Sequence, residues 1–164
     1  MITLVTGAAR SGKTRFALQQ AGAREPRLYI ATAELLDEEM RERARRHRQE
    51  RGPQWRTIEE PLDLASALSE PFAVCVIDCL TLWLSNWLLK DPASVARQIE
   101  RLKTSLWHAP SDVIAITNEV GWSIVPENPL ARTFRDWSGK MNQEMAAVAG
   151  AVYLMVCGIP LKVK

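Results

Sequence analysis

Residues 7–14, GAARSGKT, set two glycines, a lysine and a threonine in the spacing G-x-x-x-x-G-K-[ST]. That spacing suits a polyphosphate. Gly7 and Gly12 let the backbone of Ala8, Ala9, Arg10 and Ser11 turn its N–H groups into one concavity, and a helix starting there adds the positive end of its dipole. Lys13 would reach the β- and γ-phosphates, and the Thr14 hydroxyl would ligate Mg²⁺. The pattern carries weight only between a strand and a helix. Here the apolar ITLV (2–5) precedes it and an amphipathic stretch from about residue 12 to 23 follows. A second apolar run, AVCVID, ends in Asp78, where a carboxylate can hold Mg²⁺ directly or through water. The alternative for Asp78 is to cap the helix expected to begin at Thr81.

The other chemical cluster is RERARRHRQERGPQW (41–55), in which six arginines surround one of the chain's 2 histidines. Like charge disfavours the imidazolium, so His47 reads as a neutral nucleophile for an electrophilic anion held beside it. On a helix, Arg43, His47 and Arg51 stack along one edge. His47 also continues the series Leu36, Met40, Ala44, which leans it inward. A solvated basic helix with a boundary histidine is the structural alternative, but a phosphate loop in the same chain favours arginines that neutralise charge at phosphorus. His108, in SLWHAPSD, stands at a helix end before a proline and reads as a partner of the terminal carbonyls.

These residues need a scaffold of alternating strands and helices. Strands are expected at 2–5, 27–32, 72–80, 112–118 and 151–158, with a short one in WRTIEE (55–60). The run FAVCVIDCL is continuous enough for a central parallel strand covered on both faces. Helices are expected over 12–23, through 36–47, over about 80–90 and 93–108, and from Leu130 through Phe134, Trp137, Met141, Met145 and Val148. Repeated strand–helix units imply a parallel α/β sheet. TNEVGWSIVPENPLAR leaves the strand at Thr117 and carries Gly121, Pro126 and Pro129. It reads as a loop over the C-terminal edge of the sheet, where ligands of open α/β sheets bind. Trp122 offers it a flat apolar surface for a bulky ligand or a partner subunit.

The chain has 164 residues, 47% apolar and 24% charged, with a net charge of +2. The basic segment is therefore local, which argues for an anion site and against a general nucleic-acid binder. The 3 cysteines, Cys75, Cys79 and Cys157, lie in or beside apolar runs and read as buried free thiols of a reducing compartment. No run reaches membrane-spanning length, and MITLVTGAARSGKT lacks the basic leader of a secretory signal. A cytoplasmic protein is expected, with no stable membrane insertion.

The stretches LVTGAARSGKTRFA, YIATAELLDEEMRERARRHRQERGPQWRTIEEP, TNEVGWSIVPENPLARTFRDWSGKMNQEMAAVA and GIPLKVK cover well over half the chain. In them the sequence resembles the bifunctional adenosylcobinamide kinase/adenosylcobinamide-phosphate guanylyltransferases of cobalamin biosynthesis. The resemblance implies a single P-loop NTPase domain over residues 1–164, α/β, with a mostly parallel central sheet flanked by helices (RecA-like), assembling as a homotrimer. It implies two reactions. A nucleoside triphosphate, GTP or ATP with Mg²⁺, phosphorylates adenosylcobinamide, and GMP then passes from GTP to that phosphate through a guanylylated histidine. The position that matches that histidine is His47, and Lys13 of the phosphate loop is the other catalytic candidate. The implied nucleotide contacts are Gly7, Ala8, Ala9, Arg10, Ser11, Gly12, Lys13 and Thr14, then Ala31, Thr32 and Ala33, then Arg48, Gln49, Glu50 and Arg51, with Glu59 and Asp78. Thr14 and Asp78 remain the metal ligands expected from the loop and the acidic strand end, although Asp78 replaces the glutamate of some relatives. Two other readings stand beside this one: a plain P-loop small-molecule kinase, and a regulatory module gripping nucleic acid with the basic helix.

Overall fold

Parallel strands buried on both faces must be apolar throughout, and four such runs form the middle of the molecule. The computed structural model describes residues 1–34 and 38–164, together with their side chains except those of Glu39, Met40, Arg43, Ala44, Arg46, His47 and Glu50. In chain order the strands are β1 (Ile2–Gly7), β2 (Arg27–Ala31), β3 (Trp55–Glu59), β4 (Val74–Asp78), β5 (Asp112–Ile116), β6 (Ala151–Val156) and β7 (Ile159–Lys162). The helices are α1 (Lys13–Ala21), α2 (Glu38–Arg51), α3 (Leu64–Ala67), α4 (Leu80–Lys90), α5 (Val95–His108) and α6 (Pro129–Val148). One 7-stranded sheet runs β3-β2-β4-β5-β1-β6-β7. Every pairing in it is parallel except β6 with β7.

The helices bury their apolar stripes on the two faces. Phe16, Ala17 and Ala21 of α1 pack with Val5, Tyr29, Val76 and Ile114 on one face. On the other, Trp83 and Leu84 of α4, Leu102 of α5 and Met141 and Met145 of α6 meet Leu28, Ile30, Cys75 and Ile77. Side chains alternate along a strand, so Tyr29, Ala31, Val76 and Asp78 share the α1 face while Ile30 and Ile77 take the other. Each fully buried leucine, isoleucine or valine stabilises the fold by about 1.5–3 kcal/mol relative to exposure. The register sets Asp78 level with Ala31, and Ala31 level with Glu59, along the C-terminal edge.

Several boundaries differ from the sequence reading. The chain after β6 does not simply trail off: Cys157 and Gly158 turn it into β7, an antiparallel edge strand with all four residues exposed. Cys75 and Cys79 are buried as expected, but Cys157 is exposed because the strand stops at Val156 and the cysteine enters the turn at φ 51°. A short α3, capped by the Asp63 carboxylate on the Ser66 N–H, is an addition to the elements expected from the sequence. Asp78 does not cap α4, whose N-cap position falls to Cys79 with no side-chain cap bond. His108 meets the Thr104 carbonyl through Nδ1 at 2.8 Å, the terminal-carbonyl role expected of it. Leu36 lies outside the described residues. So do the side chains of Met40, Ala44 and His47, and with them the inward lean proposed for the histidine.

Candidate active site

The loop between β1 and α1 is shaped by backbone that ordinary side chains resist. Gly7 has φ 142° and Gly12 has φ 94°, and Arg10 adopts φ 56° between them. A Cβ on Gly7 would come within 2.6 Å of the Met155 carbonyl oxygen, so β6 leaves no room for one. Ser11 N–H closes the loop on the Ala8 carbonyl at 3.3 Å, and Phe16 N–H opens the helix on Gly12 at 3.0 Å. From outside, Gly158 N–H in the β6–β7 turn donates to the Ser11 carbonyl at 3.0 Å. Ala8, Ala9 and Arg10 form the exposed rim, whereas Ser11 is buried and its hydroxyl has no partner among the described residues.

Lys13 curls back into this loop. Its Nζ donates to the Gly7 carbonyl at 3.0 Å and the Ala8 carbonyl at 2.6 Å, and the residue is only 7% exposed. Burial lowers its pKa from the ordinary lysine value, an effect that neighbouring Cys79 and Asp78 oppose. Carbonyl dipoles satisfy the ammonium without neutralising it. An anion entering the loop would supply the missing charge.

Asp78 closes the site from β4. Its Oδ2 accepts a hydrogen bond from the Thr14 hydroxyl at 2.8 Å and another from the Tyr29 hydroxyl at 2.6 Å. A hydroxyl and a carboxylate in contact are hard oxygen donors of the kind Mg²⁺ takes, usually with phosphates and waters completing the shell. Among the described residues no group of three or more His, Cys, Asp or Glu suited to a metal occurs. Burial first, then Asp78, pushes the Cys79 thiol up to about 11, which leaves it protonated and inert at neutral pH. Thr32 lies wholly inside. Its hydroxyl donates to the Cys79 carbonyl at 2.7 Å and accepts from the Cys79 N–H at 2.8 Å. Its side chain therefore holds the bend after Asp78 and does not point out of the edge. Ala31 and Ala33 flank it, half-buried.

The basic helix contributes unevenly. Arg45 pairs with Glu38 and Glu42, and Arg48 and Gln49 are exposed, Arg48 reaching the Thr57 carbonyl at 3.4 Å. Arg51 differs. It is 8% exposed, its guanidinium carbon lies 3.6 Å from the Tyr29 ring centroid, and Nη2 donates to the Thr57 hydroxyl at 3.3 Å. Burial lowers its pKa, with Tyr29 and Asp78 acting in the opposite sense. Glu59 is exposed at the end of β3. The side chains of His47 and Glu50 lie outside the described residues. The helix backbone puts position 47 one turn before Arg51.

Sequence reasoning missed two sets of residues. Tyr29 is one. Glu119 belongs to the other, accepting from the Thr6 hydroxyl at 2.7 Å and the Asn142 amide at 3.2 Å, while its own N–H donates to the Gly7 carbonyl at 3.2 Å. Asn118 and Thr117 join it through Thr81 and Asn142, so the 117–128 segment is pinned to β1, α4 and α6 at its start. Beyond the pinned start it exposes Trp122, Ile124 and Val125. Thr6, Glu119 and Asn142 lie in strand, loop and helix, and no local spacing joins them. For Tyr29 there was a signal, since alternation along β2 puts it on the face of Ala31.

A mostly parallel sheet whose first strand feeds a glycine-bounded loop and a buried lysine, with an acidic strand end across from it, defines an α/β P-loop protein. The sequence comparison is narrower. Residues 3–163 match the family described as cobinamide kinase / cobinamide phosphate guanyltransferase, and the chain belongs to that family of bifunctional enzymes. It is 42% identical to the bifunctional adenosylcobalamin biosynthesis protein CobU of Escherichia coli, over 100% of both chains. It is 41% identical to the CobU protein of Salmonella typhimurium, again over 100% of both. The bifunctional adenosylcobalamin biosynthesis protein CobP of Pseudomonas aeruginosa is 40% identical, over 100% of this chain and 98% of its own. Among the described residues no helix is long and apolar enough to cross a membrane.

Proposed function

We propose that the enzyme phosphorylates the aminopropanol hydroxyl of adenosylcobinamide with a nucleoside triphosphate and then transfers GMP from GTP to that phosphate. The second reaction releases pyrophosphate and leaves adenosylcobinamide-GDP. The observation that carries this reading is the loop Gly7–Thr14, already folded as an anion receptor with Lys13 inside it, in a chain that matches the family from end to end.

In this reading the backbone N–H groups left free in the Gly7–Thr14 loop and the Lys13 ammonium hold the β- and γ-phosphates of GTP or ATP. Thr14 and Asp78 would hold Mg²⁺, and when bound it would supply screening of the charge that develops on the phosphates. Ala31–Ala33 and Glu59 border the nucleotide along the sheet edge, and Arg48, Gln49, Glu50 and Arg51 border it from α2. For guanylyl transfer, the His47 imidazole attacks the α-phosphorus and the α–β phosphoanhydride bond breaks. The electron pair leaves on pyrophosphate, and a guanylyl-histidine forms. The corrinoid phosphate oxygen then attacks the same phosphorus and displaces the imidazole. Arginines near position 47 stabilise the anionic phosphorus centre in both displacements. We place the reaction in the cytoplasm and assign the active form as a homotrimer. The exposed Trp122, Ile124 and Val125 support corrinoid or partner-subunit contact by the 117–128 segment.

The test is incubation with α-labelled GTP in the absence of the corrinoid, followed by peptide mapping. The label is expected on His47, as a phosphoramidate that survives alkali and hydrolyses in mild acid. A plain kinase would leave the chain unlabelled while still phosphorylating adenosylcobinamide. An acid-stable adduct, or one on Lys13 or a serine, would sink the histidine route.

A further inference from the structure

Tyr29 joins parts of the site that no sequence motif connects. It is 3% exposed and central in β2, between β4 on one side and β3 on the other. Its hydroxyl donates to Asp78 Oδ2, the same oxygen that Thr14 at the start of α1 donates to. Both donors gather on Oδ2, and among the described residues no hydrogen bond reaches Oδ1. The ring face carries the Arg51 guanidinium at 3.6 Å, and Arg51 is the last residue of α2. A cation on the face of a phenol draws electron density from the ring and strengthens the hydroxyl as a donor. Arg51, Tyr29, Asp78 and Thr14 thus form a chain of direct contacts from the basic helix to the phosphate loop. The Arg51 Nε is buried without a partner among the described residues, so the stack on Tyr29 and the bond to Thr57 hold this guanidinium in place.

We infer that Tyr29 is a positioning residue. It fixes Asp78 by one oxygen so that the other is presented to the metal of a bound nucleotide, and it ties that setting to the docking of the α2 end through Arg51. This rests on the proposed function, in which GTP and Mg²⁺ occupy the Gly7–Thr14 loop. It adds that the basic helix and the metal site are mechanically linked. A nucleotide with its metal would favour the docked α2, and a docked α2 would favour the metal-competent Asp78. The same free energy acts in both directions.

Two measurements test the link, both with a GTP analogue carrying a methylene between the α- and β-phosphorus so that no GMP is transferred. In the first, analogue binding is titrated against Mg²⁺ for the parent and for Tyr29→Phe, which keeps the buried ring and removes only the hydroxyl. Metal-free affinity is expected to stay at the parent value. The Mg²⁺ concentration for half-maximal binding should rise about 3- to 10-fold, the equivalent of one hydrogen bond. Arg51→Lys, which keeps the charge but loses the planar stack, should raise that concentration in the parent and add little on top of Tyr29→Phe.

The second measurement uses the parent chain, so it holds even if Tyr29→Phe folds poorly. The chain has only 2 tyrosines, so ¹³C at the tyrosine Cζ gives two signals, assigned with Tyr153→Phe. Adding Mg²⁺ to the analogue complex should move the Tyr29 signal and leave Tyr153 in place. An unchanged Mg²⁺ requirement in Tyr29→Phe, additive effects with Arg51→Lys, or a Tyr29 signal indifferent to Mg²⁺ would each overturn the link while leaving the nucleotide site standing. A parent whose binding shows no Mg²⁺ dependence at all would instead remove the metal reading, and this inference with it.

Discussion

The phosphate loop and the basic helix α2 both present positive charge, but they are built by opposite means. The loop is made of backbone. Gly7 and Gly12 turn it, Gly158 braces it from the β6–β7 turn, and Lys13 is folded inside against the Gly7 and Ala8 carbonyls. The helix is made of side chains. Among its described residues Glu38, Arg41, Glu42, Arg45, Arg48 and Gln49 are exposed, and Arg51 alone is buried. A backbone site is organised before any ligand arrives, so its donors require little reorganisation at the moment of reaction. Exposed arginines pair with nearby glutamates and water and are screened, so their alignment depends on an anion to gather them. The loop is suited to an anchor that both reactions share, and the helix to a group engaged in one of them.

Removing the anchor's charge should have the largest effect. In Lys13→Ala both phosphorylation and guanylyl transfer should fall by at least about 10²–10³-fold, the loss typical of one preorganised donor to developing charge. Steady-state rates of each half-reaction give the answer. One activity surviving near the parent rate would mean that the two reactions do not share the loop.

Next in size is the helix. His47→Asn should abolish guanylyl transfer, yet leave cobinamide phosphorylation measurable, because phosphoryl transfer works by positioning and electrostatics and forms no covalent protein intermediate. Product masses from the two half-reactions, run separately, check it. Loss of both activities to the same degree would make α2 part of the shared anchor.

How far these two regions can be read from sequence differs for the same physical reason. A phosphate loop depends on neighbours in the chain, so strand, glycines, lysine and helix are visible in GAARSGKT and its flanks. Asp78 is legible because an apolar run ends in an acid, which a buried strand tolerates only at its tip. The parallel sheet follows from the alternation of apolar runs and amphipathic stretches. What depends on pairing between distant segments is not legible. Tyr29 gains its role only when β2 meets β4 and α2 returns across it. The strand β7 hides because its four exposed residues include Pro160 and bury no face, which an edge strand permits and a pattern of burial does not reveal. Cys157 looks like the end of a buried run because nothing in AVYLMVCG marks the turn before Gly158.

The two regions also differ in what a substitution costs the fold. Gly7→Ala forces a Cβ to within 2.6 Å of the Met155 carbonyl at a φ that L-residues avoid, so the loop and β6 must shift together. It should cost about 1–3 kcal/mol, the range for a strained backbone position, and weaken nucleotide binding as well. Arg45→Ala on α2 removes only exposed ion pairs to Glu38 and Glu42 and should stay within about 0.5 kcal/mol. Urea unfolding of the two variants against the parent separates a backbone site from a side-chain site. Equal losses would erase the distinction.

The smallest expected effect concerns the charge that the loop stores. Burial lowers the pKa of Lys13 in the folded chain below its unfolded value. Below both values the ammonium is charged in both states, and the native state bears the full burden of desolvating it. As pH rises through the lowered native value, the native state releases the proton while the unfolded chain keeps it, so stability climbs until the unfolded value is passed. Lys13→Met fills the same space without a charge and should lack that alkaline climb. Its neutral-pH stability reflects two opposed losses, the buried charge and the bonds to Gly7 and Ala8, so the pH slope and not the absolute melting temperature is the readout. GTP should raise the melting temperature of the parent and leave that of Lys13→Met unchanged, because the charge that makes the free loop less stable is the one that holds the phosphates. If the variant kept the parent's alkaline slope, the stored charge would belong to another group, and the loop would be an anchor by shape alone.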